Sequence, residues 1–294
     1  SWALPLAVAT TGVTGQYTSM EIVNGFPAIA YYDVTNGDLK YARALDANGT
    51  GWGTSLTLDA SGNTGQYVSM KIINGNPAIA YYDVTNTNQK FIRASDINGS
   101  AWNAALTVDL SVNNVGMYSS LDIINGLPAI AYQDFTSGSL RLLKAADANG
   151  TAWVAPQTID ATGSTGLFAC ILTVNSTPLI ACFKNAFPRA SLRIWRGSDI
   201  GASSWLGPQD IYTSAPSGLY NSLKRVNGNP AFSFYTNNSS TLDLNYVRAL
   251  DAEGQTWGNP VVIDATGAVG LYNSLNIVNG NPAICYYDAT NTNL

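Results

Sequence analysis

Hydrophobic and polar positions along the chain repeat with a period of about 50 residues. Each period contains the motif Asn-Gly-x-Pro-Ala-Ile-Ala-Tyr-Tyr-Asp or a variant of it. The proline of this motif recurs at Pro27, Pro77, Pro128, Pro178, Pro230 and Pro282. A tryptophan recurs with the same period, at Trp2, Trp52, Trp102, Trp153, Trp205 and Trp257. Because two independent markers share one period, the chain consists of six copies of one unit.

Each unit contains four short runs that are typical of β-strands. In the second unit these runs cover residues 66–73, 77–83, 89–94 and 102–109. They are rich in Tyr, Ile, Val and Thr, and turn sequences such as Asn-Gly separate them. Asn-Gly favours a tight hairpin because both residues tolerate a positive φ. The second run is apolar on both faces, which indicates a strand enclosed between neighbouring sheets.

Four antiparallel strands in every unit predict a β-propeller in which each unit forms one blade. We therefore predict an all-β fold, a six-bladed β-propeller of four-stranded antiparallel blades, in a single domain over residues 1–294. An extended β-solenoid is the structural alternative, although solenoid coils are usually shorter than these units.

The sixth blade is expected to be shared between the N- and C-termini and to lack one strand. Residues 1–11 match the fourth run of a unit, residues 271–288 supply the first two runs, and the third is cut short at Leu294. Three explanations remain open: a longer polypeptide, a strand donated by a neighbouring molecule, or an incomplete blade. The first two would link propellers into a fibre or array. The open edge for such assembly is predicted at Ala283, Cys285, Tyr287 and Leu294.

The repeated unit resembles the repeats of bacterial secreted β-propeller proteins, a mostly uncharacterised group. The matching stretches are residues 76–83, 90–94 and 246–249, together with Trp102, Asn229 and Trp257. The resemblance covers essentially the whole chain. It implies propeller blades and an extracellular or cell-surface location, and it implies no particular activity. The turn from Asp46 to Trp52 is also similar to the Asp-box of sialidase-like propellers, which is a structural turn one residue shorter.

Composition narrows the range of functions. The chain has a net charge of −5, only 11% charged residues and no histidine. Nucleic acid is not an expected partner because there is no basic stripe. No apolar run approaches the roughly 18 residues of a membrane span, so membrane insertion is not expected. The absence of histidine excludes His-based acid–base catalysis and His-ligated metals. We predict no cofactor and no metal site.

The three cysteines occupy positions of the repeat. Cys170 and Cys182 replace a serine of the first run and an aromatic residue of the second, such as Ser69 and Tyr81. Because both members of a cross-strand pair have become cysteine, we predict a disulfide between them and an oxidising compartment. The alternative is two buried thiols. Cys285 takes the place of an alanine and is expected to be a buried free thiol.

Candidate binding residues come from repeated aromatic and basic positions. The six tryptophans could stack on sugar rings, one in each blade, and Arg43, Arg93 and Arg248 accompany them. Packing between blades is the alternative role of these tryptophans, as it is for a second aromatic set at Tyr17, Tyr67, Tyr118, Phe168, Tyr220 and Tyr272. Unit four departs from the repeat and gathers an asymmetric basic patch at Lys184, Arg189, Arg193 and Arg196.

Carboxylates recur at the end of the second run, as Asp33, Asp83 and Asp134. Across the next turn each faces a basic residue: Lys40, Lys90 and Arg141. We predict a cross-strand ion pair in each of these units. The acidic residues fall mostly at such repeated positions, so no catalytic carboxylate pair stands out.

These observations favour an extracellular structural or assembly protein that associates with itself, without enzymatic activity. The alternative is a multivalent carbohydrate-binding lectin with glycan sites between the blades, where weak repeated sites act through avidity. An enzyme is the third hypothesis. Fold alone does not decide among these functions.

Overall fold

The computed structural model describes residues 5–186, 190–213, 217–237 and 242–294. These residues form antiparallel β-sheet throughout, in five four-stranded sheets and one two-stranded sheet. Strand order within each sheet follows the order along the chain. The chain is therefore a β-propeller built from four-stranded antiparallel blades. No helix long and apolar enough to cross a membrane was found in the described part of the chain.

The five complete blades follow one another along the sequence. The first blade is β1 (Thr14–Val23), β2 (Phe26–Asp33), β3 (Asp38–Arg43) and β4 (Leu56–Asp59). The second is β5 (Thr64–Ile73), β6 (Asn76–Asp83), β7 (Asn88–Arg93) and β8 (Leu106–Thr107). The third is β9 (Val115–Ile124), β10 (Leu127–Asp134), β11 (Ser139–Lys144) and β12 (Gln157–Asp160). The fourth is β13 (Leu167–Val174), β14 (Thr177–Lys184), β15 (Ser191–Gly197) and β16 (Trp205–Tyr212). The fifth is β17 (Ser217–Val226), β18 (Asn229–Thr236), β19 (Leu244–Arg248) and β20 (Val261–Asp264).

The prediction of six blades is wrong, because the structure contains five. The sixth unit supplies only a two-stranded sheet, β21 (Val269–Val278) and β22 (Asn281–Asp288). Residues 5–11, the described part of the segment expected to close this blade, form no strand. Past β22 a single bridge joins Asp288 to Asn293. The physical reason is the missing third strand, without which an outer strand has no ladder to join.

Within a blade, the turns follow the sequence pattern. Asn24 and Gly25 connect β1 to β2 with φ angles of 44° and 79°, as an Asn-Gly hairpin requires. The second strand of a blade is buried along nearly its whole length, as β6 and β10 show. This confirms that it is enclosed on both faces. The fourth strand is shorter than expected: β8 covers two residues, and Trp102 makes only an isolated bridge with Ala94.

The hydrophobic core lies between the blades. Tyr41 of the first blade and Ile79 and Tyr81 of the second belong to one buried cluster, and similar clusters join the later blades. The first strands of successive units contact one another around the centre of the propeller. They are also hydrogen-bonded, because a serine on one first strand accepts the backbone N–H of the next. Ser19 accepts from Met70 at 3.0 Å, and Ser69 accepts from Leu121 at 2.9 Å.

The predicted disulfide is wrong, and all three cysteines are free. Cys170 on β13 pairs with Ala181, so the side chain of Cys182 points to the opposite face of the sheet. Cys182 packs between the third and fourth blades, whereas Cys170 packs toward the fifth. Cys285 on β22 is exposed rather than buried, because that face of the two-stranded sheet is not covered.

Candidate functional site

A β-bulge interrupts the first strand of every unit at the same aromatic position. The pairing of β1 with β2 shifts between Gln16 and Ser19, and Tyr17 lies in that shift. The aromatic residue at the bulge has a φ between 50° and 55° in all six units. These residues are Tyr17, Tyr67, Tyr118, Phe168, Tyr220 and Tyr272, and we call them the aromatic arc. A positive φ is strained for a bulky side chain, and such strain concentrates at ligand-binding and active sites.

The bulges turn the aromatic side chains toward one another at the centre of the propeller. Each contacts the next, and the centroids of neighbouring rings are 4.6–4.7 Å apart from Tyr17 through to Tyr272. Neighbouring ring planes are inclined by 49° to 54°. The two ends of the arc are the most accessible, with Tyr17 38% and Tyr272 69% exposed.

All six members of the aromatic arc line a central cavity of about 920 Å³. This volume suits a small molecule or a few sugar units, since ligand pockets typically measure roughly 300–1,000 Å³. Burial raises the pKa of Tyr67 and Tyr118 above the usual value, and that of Tyr220 to about 12. The hydroxyl groups of these tyrosines therefore keep their protons at neutral pH and can donate hydrogen bonds to a ligand.

Polar side chains next to the aromatic arc complete the wall of the cavity. Ser119 donates to the side-chain oxygen of Gln89 at 2.7 Å. Asn221 donates to the backbone oxygen of Phe168 at 3.0 Å, and Asn273 donates to that of Gly270 at 2.9 Å. These bonds hold the side chains in place before any ligand arrives, which is how a binding site is preorganised.

Four residues beyond the aromatic position, four of the first strands carry a charge. We call Glu21, Lys71, Asp122 and Lys224 the inner charge cluster. Lys71 Nζ lies 2.8 Å from Glu21 Oε1, and the two side chains are 31% and 26% exposed. Asp122 Oδ2 accepts the backbone N–H of Thr173 at 2.8 Å. The unit-four residue at this position is Leu172, so the cluster breaks the repeat.

The charges of this cluster influence one another across the centre of the propeller. Burial raises the pKa of the Asp122 carboxyl, although the N–H of Thr173 and the charges of Lys71 and Lys224 act against this rise. Burial lowers the pKa of Lys224, and the nearby charge of Lys71 lowers it further. The negative charges of Glu21 and Asp122 act against this lowering of the pKa of Lys224.

The sequence analysis did not identify this cluster, because it considered acidic residues that recur at the same position of several units. The feature that could have revealed it is the residue four positions after the aromatic one, which differs from unit to unit. In the six units this residue is Glu21, Lys71, Asp122, Leu172, Lys224 and Asn276. The change of sign between the first two units matches the ion pair of Glu21 with Lys71, which joins the first blade to the second. Among the described residues, no group of three or more Cys, Asp or Glu side chains is placed to hold a metal ion.

With this geometry described, the chain can be compared with known proteins. No protein-family model matches the sequence, and no curated protein matches it significantly. Solved structures do match. A Hadza microbial sialidase superposes with a TM-score of 0.62 at 13% identity, over 92% of this chain and 62% of that one. An ulvan lyase, described as a new family of polysaccharide lyase, superposes with a TM-score of 0.63 at 12% identity, over 92% and 78%.

A third similar structure is an exo-β-1,3-galactanase from Phanerochaete chrysosporium. It superposes with a TM-score of 0.52 at 11% identity, over 92% of this chain and 74% of the galactanase. The fold is a β-propeller. At these identities the likeness establishes the fold, and the chain spans less than two thirds of the sialidase.

These matches contradict two predictions made from the sequence. One was a structural protein that assembles into a fibre or array, and the other was the absence of enzymatic activity. The matching structures are instead a sialidase, a polysaccharide lyase and a galactanase, all of them enzymes that act on carbohydrates. Of the open edge predicted at Ala283, Cys285, Tyr287 and Leu294, the first three residues lie on β22 and Leu294 lies beyond it. The structure gives no support for fibre formation through this edge.

None of the five described tryptophans that were predicted to bind sugars lines the central cavity. Trp2 is outside the described residues. Each of the other five is half-buried, and the indole N–H of four of them donates to the backbone of the preceding turn, as from Trp102 to Gly99 at 2.8 Å. Trp205 donates to the side chain of Gln157. Trp102 also packs edge-on against Tyr41 of the neighbouring blade, with ring centroids 5.1 Å apart.

The three arginines predicted to accompany the tryptophans bond to backbone oxygens of the chain itself. Arg43 donates to the backbone oxygens of Val23 and Asn24, which fixes the first hairpin of its blade. Arg93 and Arg248 make the equivalent bonds.

Of the predicted basic patch, the structure describes Lys184, Arg193 and Arg196. Arg193 forms an ion pair with Asp210 at 2.7 Å and another with Asp160 at 3.5 Å. Lys184 donates to Thr162, Arg196 is half-buried on β15, and Arg189 is outside the described residues.

Proposed function

We propose that this chain is a carbohydrate-active propeller that binds a glycan in its central cavity and processes it there. The observation that supports this most directly is the aromatic arc on the wall of the cavity. Six aromatic residues each hold a strained φ, and each strained residue costs of order 1–3 kcal/mol. Such a cost persists where the surrounding structure and the function both require it.

The chemistry of the cavity suits a sugar. The apolar faces of pyranose rings need flat apolar partners, and their hydroxyl groups need fixed donors and acceptors. The aromatic arc offers the first, and Ser119, Asn221, Asn273 and the tyrosine hydroxyls offer the second. The solved propellers that resemble the chain act on sialic acid conjugates, ulvan or galactan by their names, which supports carbohydrate as the ligand class.

The binding test uses a panel of neutral and acidic oligosaccharides and isothermal titration calorimetry. Tyr118→Ala and Tyr220→Ala should each weaken binding of the glycan by at least tenfold, since each removes one flat wall of the cavity. Tyr118→Phe is the matched control, because Phe168 already shows that an aromatic residue without a hydroxyl is accommodated at this position. That variant should retain most of the affinity.

A second set of variants separates the cavity from the sites predicted between the blades. Trp102→Phe changes a side chain that bonds within its own blade and lies away from the cavity, so glycan binding should be unchanged. Loss of binding in Trp102→Phe, with full binding in Tyr118→Ala and Tyr220→Ala, would contradict the proposal and favour the lectin sites between the blades. An extracellular location and membership of the secreted repeat group remain predictions that secretion assays on the native source would test.

A further inference from the structure

The aromatic arc is open on one side. Its rings contact one another from Tyr17 through to Tyr272, and among the described residues no ring contact joins these two ends to each other. The cavity wall includes residues 15–18 and Met20 from β1 and residues 272–274 from β21, but only the aromatic residue and the one after it from each first strand between them. The cavity therefore extends toward this opening. We call the space bounded by Tyr17 and Met20 on β1 and by Tyr272 and Ser274 on β21 the open slot.

The hydrogen bonds that join successive first strands leave one donor at the open slot. Ser19 accepts the backbone N–H of Met70 at 3.0 Å, and three later units repeat this bond. Met20 occupies on β1 the place that Met70 occupies on β5, because both pair with the equivalent isoleucine of the second strand. Its backbone N–H therefore points out of β1 into the open slot. The side chain of Met20 is 56% exposed, against 1% for that of Met70, which shows that this side of β1 is uncovered.

Ser274 is the matching acceptor on the other side of the open slot. It holds on β21 the position that Ser19 holds on β1, and it is exposed and lines the cavity. One wall of the slot therefore presents a serine hydroxyl and the other a backbone N–H, the two groups that satisfy each other between the inner strands. A hydroxyl group of a ligand can accept from the N–H of Met20 and donate to the Oγ of Ser274, because a hydroxyl is both a donor and an acceptor.

We propose that the open slot is the subsite that holds one pyranose ring of the glycan. The flat faces of the sugar lie between the rings of Tyr17 and Tyr272, and one of its hydroxyl groups bonds to Met20 and Ser274. This inference rests on the proposed function and states where in the cavity the sugar is bound. The inner rings of the aromatic arc each contact a neighbour on both sides, whereas each end ring contacts only one. A sugar in the open slot supplies the missing neighbour of both end rings, and its hydroxyl groups distinguish it from a purely apolar ring.

Two equivalent serines separate binding from stability. The probes are β-linked disaccharides of glucose, galactose and mannose beside the oligosaccharide panel above, measured by calorimetry. Ser274→Ala removes a hydroxyl that faces the open slot, so affinity should fall by about three- to tenfold while the midpoint of urea unfolding stays unchanged. Ser222→Ala is the matched control, because its hydroxyl accepts the backbone N–H of Leu275 at 3.0 Å. That change should lower the unfolding midpoint and leave affinity unchanged. The reverse pattern would contradict the inference.

The aromatic walls of the open slot are tested in the same way. Tyr272→Ala removes one flat wall and should weaken binding by at least tenfold, whereas Tyr272→Phe keeps that wall and should retain most of the affinity. Phe135→Ala is the control, because it removes an exposed ring from the turn after β10, outside the cavity. It should leave affinity unchanged. Full affinity in Tyr272→Ala would overturn the inference.

Hydroxyl-radical footprinting with mass spectrometry locates the glycan without any substitution. Met20 and Tyr272 are exposed and should be oxidised in the free protein, and a bound sugar should protect both. Buried Met70 should stay unlabelled in both states, and Phe135 should be labelled in both. Binding that leaves Met20 and Tyr272 fully labelled overturns this inference, and the proposed function still stands if variants of the inner rings weaken that binding. Absence of glycan binding by the wild type contradicts the proposed function, and this inference fails with it.

Discussion

Lys90 Nζ donates to Asp59 Oδ2 at 2.6 Å and thereby joins the second blade to the first. The hydroxyl of Tyr81 donates to the same oxygen at 2.7 Å. Both charged side chains are almost fully buried, with 10% of Lys90 and 5% of Asp59 exposed. Asp109 and Arg141 make an equivalent contact between the second and third blades, at 3.6 Å. The blades are therefore joined by a repeated ionic contact as well as by apolar packing.

Removing the carboxylate of Asp59 should destabilise the propeller strongly. Asp59→Asn leaves the ammonium group of Lys90 buried without its closest partner, which typically costs about 3 kcal/mol or more in the free energy of unfolding. Asp38→Asn is the matched control, because Asp38 pairs with Lys40 within one blade, and Lys40 keeps Asp33 at 3.7 Å just as Lys90 keeps Asp83 at 3.8 Å. That change should cost less than about 1 kcal/mol. Equal losses in urea unfolding would show that the contact between blades has no special role.

The same contact predicts a loss of stability in acid. Burial alone would raise the pKa of Asp59, but hydrogen bonds from Lys90, Ser61 and Tyr81 outweigh it and hold the pKa at about 2, below the ordinary value of 3.8. A lowered folded-state pKa contributes stability that is complete above pH about 4 and is lost as the pH falls through about 2. The melting temperature of the wild type should therefore fall over this range more steeply than that of Asp59→Asn. Parallel curves for the two proteins would contradict the assignment.

The sequence predicted the strands well because their signals are local. Tight Asn-Gly turns, apolar second runs and the cross-strand pairs of Asp33, Asp83 and Asp134 with the following basic residues all lie within one unit, and the structure contains them. The contacts of Asp59 and Asp109 with the next blade were not predicted. These contacts depend on how neighbouring blades are positioned relative to each other, and the residue pattern within one unit does not determine that position.

The register of side chains explains why the disulfide prediction failed. Cys170 and Cys182 were expected to face each other, but the tight turn after Val174 starts the ladder at Val174 and Thr177, and this register pairs Cys170 with Ala181. A shift of one residue moves a side chain to the other face of a sheet. The bulge at Phe168 lies beyond Cys170 on this ladder, and Phe168 lines the cavity.

Close packing between blades requires glycine at one position of the repeat, which is Gly65 in the second unit and Gly116, Gly218 and Gly270 in later units. Gly65 has a φ of +104°, and a Cβ there would lie 2.9 Å from the Cα of Leu39 in the first blade. Gly75 also has a positive φ, of +82°, but a Cβ there would meet nothing within 4 Å. Gly75→Ala should cost about 1 kcal/mol for backbone strain alone. Gly65→Ala should cost about 2 kcal/mol more, because the two backbones must separate. Similar melting temperatures for the two variants would show that the blades yield at this contact.

The free cysteines predict a simple pattern of thiol reactivity. Burial raises the pKa of the Cys170 thiol well above its usual value and that of Cys182 to about 12, whereas Cys285 is exposed. At pH 8 a chromogenic disulfide reagent should therefore modify Cys285 rapidly and the other two slowly. After unfolding without reductant, all three thiols should react. Detection of only one thiol in the unfolded protein would show that Cys170 and Cys182 form a disulfide.

Cys170 also interrupts the hydrogen bonds between the first strands. Ser19, Ser69, Ser120 and Ser222 each accept a backbone N–H from the next unit, at 2.9–3.1 Å. In the fourth blade the equivalent residue is Cys170, whose thiol donates to Asn221 at 2.9 Å. A serine in place of Cys170 would accept the backbone N–H of Leu223, as the serines of the other units do, and would still donate to Asn221.

Cys170→Ser should therefore stabilise the fold by about 0.5–1.5 kcal/mol, since a thiol is a poor acceptor and a hydroxyl is a good one. Cys285→Ser makes the same chemical change at an exposed position and should leave stability unchanged. Urea unfolding of the two variants beside the wild type measures both effects. A loss of stability in Cys170→Ser would mean that the thiol contributes more by packing against the fifth blade than the restored hydrogen bond returns.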